Sequence, residues 1–157
     1  MLFKRTAARV AATMFAALAV ATATAQPALA GPEHHGIFPN ASPSYCNRNA
    51  ALVATRGIET EYGRVVSYVD VYYSYSCQTN WITVRGNPAG GATLKWISSD
   101  AVAGQIREDD LDPGPTYTPQ VYAPGSTCVR FQVWLRWPDG SHYAETYSAG
   151  ATHQVVC

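Results

Sequence analysis

The chain has 157 residues with 11 basic and 11 acidic side chains, and 11% of it is aromatic. That balance excludes a polybasic nucleic-acid or anionic-membrane binder, and few charges with many aromatics exclude a chain disordered by composition.

Residues 1–30 read as a secretory signal peptide. Lys4, Arg5 and Arg9 form a basic start, Val10 to Val20 is apolar and Ala-rich, and Ala28-Leu29-Ala30 has the small-x-small form of a cleavage site. A membrane anchor is the alternative, but the apolar run is shorter than the roughly 20 residues a span needs. There is no twin-Arg pair, and no cysteine near the cleavage site for lipid attachment. Cleavage after Ala30 leaves residues 31–157, the size of one domain, with eight basic against eleven acidic side chains. The expected product is exported, with no membrane span after cleavage and no nucleic-acid partner.

Residues 31–44 hold three prolines, the pair His34-His35 and few apolar side chains, as a loose N-terminal arm would. Residues 45–157 are expected to form a single β domain. Ala50 to Ile58 reads as helix or strand. A turn at Glu61-Tyr62-Gly63-Arg64 favours a strand, because Val65 to Ser76 alternates as a half-buried strand. Val65, Val69, Val71, Tyr73 and Tyr75 fall on one face, and Tyr68, Asp70, Tyr72, Ser74 and Ser76 on the other. Folding the chain about Glu61 and Tyr62 places Ile58 opposite Val65, Ala54 opposite Val69 and Leu52 opposite Val71. The same register sets Cys46 opposite Cys77. Four cysteines in an exported chain imply two disulfides with three possible connectivities. This hairpin favours Cys46–Cys77, which leaves Cys128–Cys157.

Trp81 to Arg85 is expected to be a strand with Ile82 and Val84 on one face. It turns at Gly86–Gly91 and pairs as a hairpin with Ala92 to Ile97, where Leu94 and Trp96 share a face. Ser98 to Thr127 is less periodic: Ala101 to Ile106 reads as a strand or a helical turn. Glu108 to Asp112 is an acidic run, and the proline-rich stretch beyond it a long surface connection with an extended piece at Gln120 to Ala123. Val129 to Trp137 alternates, with Val129, Phe131, Val133, Leu135 and Trp137 on one face and Trp134 among Arg130, Gln132 and Arg136. A turn at Pro138-Asp139-Gly140 leads to a partner strand, Ser141 to Tyr147, and Ala151 to Val156 is the last strand. The expected fold is an all-β antiparallel sandwich or partly open barrel of seven or eight short strands with two disulfides.

Tyr73-Ser74-Tyr75-Ser76-Cys77-Gln78-Thr79-Asn80-Trp81, preceded by Cys46 and a Val-rich strand, resembles the DUF2690 family over about residues 46–97. Those are small extracytoplasmic modules of high-GC Gram-positive bacteria without an assigned activity, so the resemblance implies no catalytic residues. The segment from Ser98 to Cys157 departs from the family pattern.

No nucleophile motif is present, and all four cysteines are expected to be oxidised. His34, His35, His142 and His153 lie apart in sequence. No cofactor or metal is implied: the paired histidines lack zinc spacing, and the acidic run lacks the Asp-x-Asp-x-Asp-Gly order of a calcium loop. The aromatics carry the functional signal. Tyr68 and Tyr72 flank Asp70 on the polar face of their strand, as a binding strip around an accessible acid would. If that face is instead covered by the Ser98–Cys157 half, Asp70 is expected to pair with Arg130 or Arg136. The expectation is a non-enzymatic exterior module for a protein or cell-envelope glycan. A protease inhibitor presenting an exposed Asp112–Gly125 loop is the alternative, and a hydrolase the third.

Overall fold

The computed structural model describes residues 31–146 and 152–157. The segment expected to be a signal peptide and the expected break at Ser148-Ala149-Gly150 lie outside the described residues. The chain is all-β, and its strands follow one another almost without helix. They are β1 (Ala50–Glu59), β2 (Val65–Ser74), β3 (Thr79–Val84), β4 (Thr93–Ser99) and β5 (Val102–Asp110), then β6 (Thr116–Tyr117), β7 (Val121–Tyr122), β8 (Val129–Arg136), β9 (His142–Glu145) and β10 (Gln154–Val156). All pairings are antiparallel, in the order β5-β4-β8-β9-β1-β2-β3-β6, with β7 also on β3 and β10 also on β8. The sheet curls into a nearly closed barrel. Side chains lace the remaining seam: Ser99 Oγ donates to the Tyr122 carbonyl at 2.6 Å, and Lys95 Nζ donates to Thr116 Oγ1 at 3.0 Å.

Alternation selects the interior. Val69 and Val71 pair with Val84 and Ile82, and both pairs point inward. Ile97 faces Phe131 on β8, and Val129, Val133 and Leu135 complete that wall. Both disulfides form as expected, Cys46–Cys77 and Cys128–Cys157.

The β1–β2 hairpin forms, but its register differs from the expected one. Ala54 lies opposite Val71, Arg56 opposite Val69, Ile58 opposite Ser67 and Leu52 opposite Tyr72. The Thr60–Arg64 turn uses an extra residue, closed by Thr60 N–H to the Arg64 carbonyl with Gly63 at φ +74. Two irregularities then insert Val53 and Val66, and each reverses the faces beyond it. Leu52 and Val65, expected inside, are therefore exposed.

The expected β3–β4 hairpin is not found. Asn87 turns the corner instead, its Nδ2 donating to the carbonyls of Gly91 at 2.8 Å and Arg136 at 2.7 Å. This sends β4 across the barrel to pair with β5 and β8. Leu94 and Trp96 do share a face, the outer one, while Thr93, Lys95 and Ile97 point inward. Of Ala101 to Ile106, all but the turn residue Ala101 is strand, part of β5, which carries Glu108 to Asp110 with it. The stretch expected to be an exposed connection is largely wall: Thr118, Gln120, Val121 and Ala123 are buried. Their backbones bond to residues 82, 37 and 78. The N-terminal arm is docked as well, through Gly36 N–H to the Gln120 carbonyl at 2.8 Å.

Candidate functional site

Tyr68, Asp70 and Tyr72 project from the outer face of β2, as strand alternation requires. Their surroundings differ from an accessible acid between two tyrosines. Asp70 is 6% exposed and receives three hydrogen bonds: Arg85 Nε and Nη2 at 2.8 Å each, and Thr55 Oγ1 at 2.6 Å. The Arg85 bonds hold its carboxyl below the usual range, against burial, which pushes it up; Thr55 adds to the lowering. The arginine comes from the end of the neighbouring strand, not from the C-terminal half: Arg130 pairs with Asp100 instead. Arg85 remains half exposed and lies over the Tyr68 ring at 5.0 Å. Tyr68 is 43% exposed, whereas Tyr72 is half-buried in a stack on Trp81, centroids 5.6 Å apart. The strip is thus an exposed Tyr68–Arg85 pair seated on a buried carboxylate, beside a shallow groove of about 430 Å³.

A second site was not visible in the sequence. The β1–β2 turn and the β8–β9 turn meet at one end of the barrel, because β9 pairs with β1 through Glu59 and Glu145. Between the turns lies a cleft of about 570 Å³ lined by Tyr62, Arg64, Trp137, His142 and Tyr143. A neighbouring cleft of about 510 Å³ shares Thr60, Glu61 and His142 and adds Glu59 and Glu145. Trp137, expected to share the core face, is 43% exposed here, since a register shift after Leu135 ends the alternation one residue before it. Its ring packs on Tyr143 with centroids 4.6 Å apart at an interplanar angle of 55°, and both rings line the cleft. Tyr62, 88% exposed, stands at the tip of the opposite turn. The sequence signal was two turns each carrying an aromatic beside charged or histidine side chains; their meeting depends on a pairing 86 residues apart along the chain.

The arrangement offers aromatic faces for apolar C–H surface and convergent carboxylates, hydroxyl, guanidinium and imidazole for hydrogen bonding. Elsewhere, His34 lies close to Cys46 and Cys77, but both sulfurs are spent in a disulfide. No helix among the described residues is long and apolar enough to cross a membrane. Comparisons with family models, curated proteins and solved structures returned no match.

Proposed function

We propose that the chain is an exported, non-enzymatic module that binds a glycan of the cell exterior in the cleft between its two hairpin turns. The observation that carries this reading is the cleft itself: an exposed tryptophan braced by Tyr143, facing a turn with Tyr62, with Glu61, Thr60 and His142 on the shared wall. A sugar ring offers an apolar C–H face to the indole and hydroxyls to the polar groups. Two disulfides, the signal-peptide pattern and the resemblance to the DUF2690 family support an exterior location. Less favours the inhibitor reading, because the middle of the Asp112–Gly125 stretch, Thr116 to Ala123, is largely bound into the barrel wall and only its ends stay exposed.

The test is a glycan array and a pull-down on purified cell wall, with Trp137→Ala alongside. Wild type should bind, and the variant should lose at least tenfold in affinity while keeping its thermal transition. Binding that survives the substitution places the ligand elsewhere, and capture of a protein in place of any glycan overturns the ligand class.

A further inference from the structure

Lys95 is the anomaly of the interior. It sits on the inward face of β4, between Glu108 of β5 and Val133 of β8, in the same row as Ile97. Its side chain is 0% exposed. Among the described residues its ammonium group meets two acceptors, Asp110 Oδ2 and Thr116 Oγ1, for three protons. Thr116 Oγ1 donates to the same Asp110 oxygen, which closes a triangle of Lys95, Asp110 and Thr116 at the rim of the core. Thr93, the cross-strand partner of Asp110, brings a buried hydroxyl without a partner among the described residues. Burying such a pair is costly, and a neutral group in its place removes the desolvation penalty.

We propose that Lys95 and Asp110 condense into an intramolecular amide, a covalent cross-link between β4 and β5. One proton first passes from the ammonium to the Asp110 carboxylate; the freed Nζ lone pair then attacks Cγ, a C–N bond forms, and one Cγ–O bond breaks. That oxygen departs as water with two protons that came from the ammonium. Ammonium plus carboxylate becomes amide plus water, so no oxidant, reductant or cofactor is needed. Thr116 Oγ1, bonded to both reacting groups, relays a proton from nitrogen to the leaving oxygen. Glu108 lies across from Lys95 on β5, but its carboxylate makes no ion pair with Nζ, so the relay falls to Thr116. The fold holds nucleophile and carbonyl in contact, which supplies the effective concentration that amide formation lacks in water. Asp110 is one-third exposed, so the released water has a way out. The product ties β5, which among the described residues pairs with β4 alone, to the sheet at its acidic end.

Mass spectrometry decides. The oxidised chain is purified, its N-terminus read, and its disulfides reduced before the intact mass is taken. The expected mass is one water below that of the sequence, and digestion should yield a branched peptide joining the segments around Lys95 and Asp110, uncut after Lys95. Asp110→Asn should lose ammonia instead of water, and Lys95→Met should keep its full mass. A wild-type chain at full sequence mass overturns the proposal. So does a water lost equally in Lys95→Met, which would assign the loss to another site such as Asp139-Gly140.

Discussion

Asp70 and Arg85 form an ion pair whose partners differ sharply in exposure, so removing one is not equivalent to removing the other. The Asp70 side chain is 9% exposed and that of Arg85 51%. Asp70→Asn removes the charge, keeps the shape and leaves an oxygen for Thr55, while the stranded Arg85 is already half in water. Two charge-assisted bonds are lost but largely replaced by solvent, so the expected cost is about 1–2 kcal/mol. Arg85→Met leaves the buried carboxylate with Thr55 alone and should be the more damaging change, although it touches the more exposed residue.

The pH dependence carries the same information. Asp70 is held below the ordinary aspartate value, mainly by Arg85. Its contribution is therefore full above the unfolded-state pKa and is lost as pH falls through the lower folded value. In Arg85→Met, burial outweighs the Thr55 bond and the carboxyl moves above its unfolded value, so the sign reverses: the buried carboxylate costs stability at neutral pH, and that cost is relieved as pH falls through the raised folded value. Urea unfolding followed by tryptophan fluorescence reads both effects, Trp81 being stacked on Tyr72 nearby. The reasoning is refuted if Asp70→Asn costs as much as Arg85→Met, or if the acid limb of the two proteins coincides.

Gly91→Ala should destabilise by about 3 kcal/mol, at the upper end for overpacking, because its Cβ would run into the backbone of Arg136 and Trp137 and displace the Asn87 corner. Differential scanning calorimetry reads the loss, and a change within error would show that the corner yields. Cys77→Ser opens a bridge that spans 31 residues and should cost about 2–5 kcal/mol by chemical denaturation. N-terminal sequencing of exported protein should begin at Gly31; a chain that starts at Met1 contradicts the signal-peptide reading.

What could be read from the sequence was local. Val129 to Leu135 alternates without interruption, and its inward face is the one expected. Cys46 and Cys77 meet because a hairpin brings its ends together whatever its fine register. The errors have physical causes. Val53 and Val66 are β-branched residues indistinguishable in sequence from their paired neighbours, yet each is an insertion that turns the following residues over, which exposed Leu52 and Val65. Gly86–Gly91 has the composition of a hairpin turn, but Asn87 reaches the Arg136 carbonyl of a strand 49 residues on, and that contact makes it a crossover. In the sequence Arg85 only ends a strand; the β2–β3 pairing is what brings it to Asp70. The end cleft depends on one bridge between β1 and β9, and hydrophobic periodicity does not report strand order.

The two ends of the barrel divide the work between them. β1 starts beside Cys46 and ends at Glu59, β2 returns from Val65 to Ser74 near Cys77, and β8 runs from the residue after Cys128 to Arg136. Each strand therefore connects the stapled end to the end that carries the cleft. At the stapled end, Cys157 and Val156 line a small cavity of about 230 Å³ with Tyr73 and Tyr75 from the end of β2 that leads to Cys77. A bridge acts chiefly on the unfolded ensemble and on fraying of the segments it joins, and neither effect reaches turns a full strand-length away. The cleft, by contrast, is made from two turns, Thr60–Arg64 and Trp137–Ser141, held by their own short hydrogen bonds. Loss of a disulfide should therefore lower the melting temperature and leave glycan affinity unchanged wherever the chain is still folded. Trp137→Ala should do the reverse. If opening the Cys46–Cys77 bridge weakens binding in the folded state, the two ends are mechanically coupled through β1 and β2, and the cleft is not an independent site.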